Sequence, residues 1–233
     1  MPQQSRRLFF EGARDTLPLI IAAIPFGMVF GALAQTNGLS VGATLSMSAL
    51  VYAGSSQFIA ATLAGTAASL PVIIVTVFIV NLRHMLYATS LMPHVTQLPQ
   101  HQRAIMAFWL TDETFATISH HLQTHTKPGE LLYYYLGSAT AMYLNWQACT
   151  AVGVFLQQRI PDMTSWGLDI AMVVAFTGIV VPLLRDKSQW ACAGVASVTA
   201  LFTHDWPHQS GLLFSSLLAI AVGVALSPRG GHV

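Results

Sequence analysis

Charge is what this chain has least of. Asp, Glu, Lys and Arg together make up 8% of its 233 residues, while hydrophobic residues make up 54% and mean hydropathy is +0.58. Too few ionic groups remain to clothe a water-soluble domain, so the composition is that of an all-α polytopic membrane protein. No polar block is long enough to form a second folded domain, and residues 1–233 read as one integral membrane domain. A formal net charge of +1 supplies no basic stripe for phosphates, which argues against a nucleic-acid partner. Cysteine is nearly absent as well: Cys149 and Cys192 both lie in apolar segments and read as small buried hydrophobes rather than a disulfide framework. No cofactor or metal motif is evident. The first apolar segment follows Arg6, Arg7 and Arg14, runs too long for a signal sequence and lacks a clear cleavage site, so it is expected to stay as the first span.

What is present is a set of apolar stretches: Leu17–Gln35, Val41–Leu63, Leu70–Met92, Leu131–Leu156, Leu168–Leu184, Trp190–Thr203 and Gly211–Leu226. Most approach the ~20 residues that a crossing helix needs. An eighth segment, Ala104–His120, holds Asp112 and Glu113 at its centre and escapes a hydropathy count. Loop charges argue for including it. With eight spans and both termini cytoplasmic, Arg6, Arg7, Arg14, Lys127, Arg185, Lys187 and Arg229 fall inside, and only Arg103 and Arg159 fall outside. The expectation is therefore a bundle of about eight transmembrane helices, some broken or kinked. Segments Gly31–Gly54 and Gly153–Gly178 each bracket a helix end, a turn and an apolar span, the pattern of an internal repeat.

The polar residues inside these spans carry the functional argument. Arg83 stands between Leu82 and His84, with Asn81 just before, about 18 Å along a helix from Pro71 and about 15 Å from Pro93. An arginine at that depth costs ~2.5 to 3.5 kcal/mol on insertion scales, so it must face a protein interior or a wet cavity. Asp112 and Glu113 stand about eight residues from either end of their segment, so at least one of them lies near mid-bilayer as the natural partner of Arg83. A structural ion pair would explain one carboxylate. The second must be protonated, meet His84 or receive a cation. In Tyr52-Ala-Gly-Ser-Ser-Gln57 the small and polar residues suggest a helix break at Gly54, where amides of Ser55, Ser56 and Gln57 form a mid-membrane helix N-terminus fit for a carboxylate. The alternative is an unbroken helix whose serines bond back to its own carbonyls. Gly27 and Gly31, one turn apart after Pro25, read as a helix-packing seam. Asn145 and Trp146 lie midway along their span, where tryptophan usually fills a bundle core.

Four segments, Phe26-Gly-Met-Val-Phe-Gly31, Tyr52-Ala-Gly-Ser-Ser-Gln-Phe58, Asn81-Leu-Arg-His-Met-Leu-Tyr87 and Leu110-Thr-Asp-Glu113, resemble the signature segments of the AzlC family of bacterial membrane proteins. The likeness continues through Asn145-Trp146 and the span from Leu168. It implies export of branched-chain amino acids, with methionine or others in some members. It also implies a small multispan partner of the AzlD or YgaH type and a place in the bacterial inner membrane.

The residues allow a matching division of labour. Asp112 and Glu113 accept an ammonium, the Gly54–Gln57 break with Arg83 takes a carboxylate, Phe26, Phe58 and Met85 line a side-chain pocket, and Asn81 and His84 are further substrate-binding candidates. Asp112, Glu113 and His84 are the candidates for proton coupling. Three other readings compete with this one: an intramembrane serine hydrolase built on Ser55 or Ser56 with His84, a metal or proton channel built on buried acids or on the clusters His120, His121, His125 and His204, His208, and a non-transporting subunit whose polar residues only dock a partner.

Overall fold

The computed structural model describes residues 2–124, 128–159, 177, 181, 184, 186–206 and 210–227. Ten helices are delineated among them, with no strands among the described residues: α1 (Pro2–Asp15), α2 (Leu17–Thr36), α3 (Val41–Val51), α4 (Gly54–Gly65), α5 (Leu70–Val95), α6 (Gln100–Phe108), α7 (Asp112–Thr124), α8 (Pro128–Arg159), α9 (Lys187–Phe202) and α10 (Ser210–Leu226). The chain divides into two compact units, Met1–Met172 and Val173–Val233. The expected span Leu168–Leu184, apart from residues 177, 181 and 184, lies outside the described residues, as do the second-half marker Gly178, His125, His208, Lys127, Arg185 and Arg229.

In the first unit, α1 and α2 run alongside α8 in the same direction. Thr16 donates a 2.7 Å hydrogen bond to Ser138. Further along, a Cβ on Gly27 would fall 2.6 Å from that of Cys149, and one on Gly31 would land on the Thr150 carbonyl. Gly153 returns the approach, facing the Met28 carbonyl. Glycine is required here because backbone meets backbone, with no room for a side chain. Thr16 and Ser138 are 122 residues apart, as are Gly27 and Cys149. With Gly31 meeting Thr150 and Gly153 meeting Met28, each helix sets a glycine against the backbone of the other. Pro25 lies within α2, and the Asn145 amide, 3.4 Å from the Ile20 carbonyl, bonds the backbone just before the turn that Pro25 loosens.

The two segments expected as crossings with polar centres are hairpins of half-length helices. α3 starts beside the end of α2, where Gln35 donates to Thr44 at 2.9 Å, and ends where the Tyr143 hydroxyl donates to the Ala49 carbonyl at 3.1 Å, halfway along α8. The chain turns at Tyr52 and Ala53, and α4 runs back until Gly65 meets Asn37 at the end of α2. α6 and α7 repeat this from the opposite end. Met106 lies against Tyr135, Trp109 at the turn lies 5.9 Å from the Tyr143 ring, and α7 returns until His121 stacks on Tyr134 at 3.7 Å. At ~1.5 Å per residue each of the four half-helices is about 14 to 20 Å long, half of a ~30 Å hydrocarbon layer.

Consequently the Val41–Leu63 and Ala104–His120 segments turn back instead of continuing through. α2 (Leu17–Thr36) and α5 (Leu70–Val95) are long and apolar enough to cross a membrane, and the 32-residue α8 has the length. A helix in one direction followed by a hairpin, then a helix in the other direction followed by a hairpin, is the arrangement of an inverted repeat. In the second unit, α9 and α10 pack through Gly223, 3.1 Å from Cys192 for an added Cβ, and through Gly211 on the Thr203 carbonyl. The expected Trp190–Thr203 span extends three residues upstream, to Lys187, where Asp186 and Gln189 form a capping box.

Candidate functional site

The hairpin turns are built, not frayed. A half-helix that stops in the middle of a bundle leaves carbonyls that water cannot satisfy. At the end of α3 three side chains satisfy them: Gln57 Nε2 donates to the Met47 carbonyl at 2.9 Å, Gln147 Nε2 to Ser48 at 3.0 Å and Tyr143 to Ala49. At the end of α6 the Tyr135 hydroxyl donates to Met106 at 2.5 Å. Tyr135, Tyr143 and Gln147 share one face of α8 at eight- and four-residue spacing, a signal present in the sequence that span counting does not use. Trp146 completes the brace. Its indole donates to Gln57 Oε1 at 2.9 Å, its ring stacks on Phe30, and its edge stands 3.1 Å from where a Cβ on Gly54 would lie.

The turn at Tyr52 is strained, with φ 22° and ψ 52° for a bulky residue. Its ring packs edge-on against Tyr143 at 4.8 Å, and its hydroxyl is buried with no hydrogen bond. Ala53 then offers no side-chain cap to the first amides of α4, whereas Ser40 caps α3 through the Ala43 amide at 3.1 Å and Thr111 accepts from the Thr114 amide of α7 at 3.3 Å. Two helix N-termini, carrying Gly54 and Asp112, thus converge at the middle of the unit.

Between them α5 contributes the charge. Arg83 Nη1 lies 3.0 Å from Asp112 Oδ2, and Arg83 Nη2 donates to Ser55 Oγ at 2.6 Å. Asp112 Oδ1 accepts from the Tyr87 hydroxyl at 2.6 Å, and Ser56 Oγ donates to Asn81 Oδ1 at 2.6 Å. Tyr87, one turn beyond Arg83, also stacks on Phe115 of α7 at 4.4 Å. One ion pair therefore ties both hairpins to the crossing helix. It is not sealed: the side chains of Arg83 and Asp112 keep 27% and 23% of their exposure. Among the described residues Arg83 pairs with Asp112 and not with Glu113, so the second carboxylate stands beside the pair without a cation of its own.

The structure brings together Gly54, Ser55, Ser56, Gln57, Asn81, Arg83, Asp112 and Glu113, with His84 alongside, its Nδ1 3.2 Å from the Asn81 carbonyl. Phe26 and Phe58 are both buried, and the Phe58 ring lies 5.8 Å from that of Phe30. Met85 is not among them. It is 64% exposed on the outer side of α5, because a helical step of two residues turns it away from Arg83. Gly27 and Gly31 lie in the α2–α8 contact, away from the ion pair. Neither serine is hydrogen-bonded to His84, the contact a serine nucleophile requires. His120 is exposed while His121 is buried under Tyr134, so these neighbours face opposite ways. His204 is exposed beside Asp205 in the second unit. No group of three His, Cys, Asp or Glu side chains suited to a metal occurs among the described residues.

A half-buried ion pair joined to two mid-bundle helix N-termini, in a chain this poor in charge, defines a membrane protein with an internal polar site, of the kind transporters use. Comparison with known proteins gives the particular family. A family described as "AzlC protein" matches residues 18–160, from α2 through both hairpins to the end of α8, and the chain belongs to it. It is similar to "Inner membrane protein YgaZ" of Escherichia coli strain K12, with 30% identity over 229 residues, covering 96% of this chain and 89% of that protein. An "Uncharacterized membrane protein" of Archaeoglobus fulgidus is 33% identical over 198 residues, covering 84% of each chain. One of the same description from Helicobacter pylori strain 26695 is 32% identical over 113 residues, 48% of this chain and 49% of that one. No solved structure matches.

Proposed function

We propose that this chain is an exporter of branched-chain amino acids, proton-coupled and working with a small multispan partner of the AzlD or YgaH type in the bacterial inner membrane. The observation that carries the reading is the Arg83–Asp112 pair at 3.0 Å, held between two half-helix N-termini with Glu113 left over. A zwitterion fits that charge pattern. Its carboxylate replaces Asp112 on Arg83, joined by the uncapped amides of α4 and the Ser55 hydroxyl. Asp112, released from Arg83 but still held by Tyr87, accepts the ammonium together with Glu113. Phe26, Phe30 and Phe58 supply an apolar wall for the side chain.

The exchange of one ion pair for two costs little electrostatic energy, since each charge keeps a partner throughout. A carboxylate that loses the ammonium in this setting takes up a proton, with His84 near enough to pass it on, and that step links export to the proton gradient. Orientation follows from the cations. Among the described residues of the unit, Arg6, Arg7, Arg14 and Arg103 belong to the end where α8 begins and Arg159 to the other, so the first end is assigned to the cytoplasm. Placing Arg103 inside, which the hairpin at α6 and α7 requires, sharpens the asymmetry relative to eight crossings.

The test is efflux and counterflow of a panel of labelled amino acids in proteoliposomes containing the chain alone or with its partner. Saturable flux of leucine, isoleucine or valine, driven by a pH gradient, is expected. Absence of flux for every amino acid in both preparations refutes the assignment.

A further inference from the structure

A cavity lies between the last turns of α5 and α6, away from the ion pair. Its volume is about 90 Å³, and Leu91, Met92, Val95, Met106 and Leu110 wall it, with Arg103 as the charged residue. Arg103 has no ion pair among the described residues, and its Nε is buried without an acceptor. A buried donor on a permanent cation is costly to leave unmatched, and an apolar wall offers it nothing. An anion that entered among these aliphatic side chains would meet that donor.

The cavity is also joined to the site already described. Ala88, in its wall, follows Tyr87, whose hydroxyl holds Asp112. Leu110 belongs to the α6–α7 turn, two residues before Asp112, and Tyr135, which lines the same space, pins the Met106 carbonyl beside it. Along α5, Leu91 and Val95 lie two and three turns beyond Arg83 toward the end where α8 begins. One guanidinium among aliphatic walls, two to three turns of α5 from a second guanidinium paired with a carboxylate, offers two stations for the same kind of molecule.

We propose that this cavity is the access station on the α8-start side of the pathway, where Arg103 takes the carboxylate of an amino acid and Leu91, Met92, Val95 and Met106 take its apolar side chain before it passes to Arg83. The inference rests on the amino-acid reading above and adds a place and a residue to it. A bilayer phosphate on Arg103 would use the same charge, but it would not draw on the cavity wall and would not lead toward Asp112.

The experiment uses proteoliposomes of known orientation containing the full chain with its partner. Arg103→Gln is expected to raise the leucine KM from the α8-start side about ten-fold or more, the loss of a charge-assisted hydrogen bond, with maximal flux and the opposite-side KM within about two-fold. Arg103→Lys restores part of the affinity, since it keeps the charge without the planar fork. A second arm does not depend on flux: in Ala107→Cys, leucine should slow modification of the introduced thiol by a small anionic thiol reagent, read by intact mass. Unchanged KM in Arg103→Gln, no protection of the thiol in Ala107→Cys, or a defect that follows the anionic lipid content of the vesicles instead of leucine concentration each overturns the proposal. Failure of the wild-type chain to move any amino acid refutes the transport reading instead, and the thiol-protection arm then decides between binding and no binding.

Discussion

Breaking the central ion pair from one side, then from both, separates its structural role from its part in transport. Arg83 and Asp112 approach to 3.0 Å with about a quarter of each side chain exposed. At an effective dielectric of ~20, two unit charges about 3 Å apart attract by about 5 kcal/mol before desolvation is counted. Partial exposure and the cost of removing both ions from water reduce the net coupling, and we expect ~2 to 3 kcal/mol. Asp112→Asn leaves Arg83 bonded to Ser55 but without a countercharge, while keeping an oxygen for the Tyr87 hydroxyl. Arg83→Gln leaves Asp112 charged with only Tyr87 to hold it. Each single variant should lower thermal stability in detergent by about 2 to 4 kcal/mol. The double variant, with both charges gone, should be more stable than the sum of the two losses by the coupling energy. Transport behaves differently, because a neutral pair cannot exchange partners with a zwitterion: all three variants should lose pH-driven leucine counterflow. Strictly additive stability losses would falsify the coupling, and wild-type transport by Asp112→Asn would remove Asp112 from the mechanism.

The hairpins are tested by sidedness. Single cysteines at Val41 and Ser69, the two outer ends of the α3–α4 hairpin, should react with an impermeant thiol reagent from one and the same side; continuous crossing puts them on opposite sides. The helix seam is tested by contrast: Gly31→Ala, aimed at the Thr150 carbonyl, should cost several kcal/mol or abolish folded protein, whereas Gly42→Ala, with nothing within 4 Å, should be nearly neutral or slightly stabilising in its helix. Gln57→Leu orphans the Met47 carbonyl and the Trp146 indole together, so melting measurements should show a loss of roughly 2 to 5 kcal/mol, the sum of two unsatisfied buried groups.

Chain order and hydropathy make several parts of this molecule legible without coordinates. The break before Gly54 is announced by four small or polar residues in an apolar run, and α4 begins there. An arginine and two carboxylates too deep for water must find each other, and Arg83 and Asp112 do. Family membership is written in motif order, and the match to residues 18–160 agrees. Neighbours in sequence put Met85 with the site, but a 3.6-residue helical turn sends it outward.

What sequence determined by itself is chemistry: membrane-type composition, the family, and the charged and breaking residues that a lipid-spanning chain retains only for a reason. Direction was decided by the tertiary structure alone. A hydropathy count measures how many apolar residues follow one another, and two half-helices that turn back have the same count as one that crosses. Loop charges could not expose the difference, because replacing two crossings by two hairpins preserves the parity of everything beyond α7 and moves only Arg103 from one side to the other. The contacts that fix the direction are long-range: Tyr143 and Gln147 on α3, Tyr135 on α6, Asn37 against Gly65 and His121 against Tyr134. A turned-back half-helix survives only where another helix satisfies its open carbonyls, and which helix does so is a property of the packed bundle.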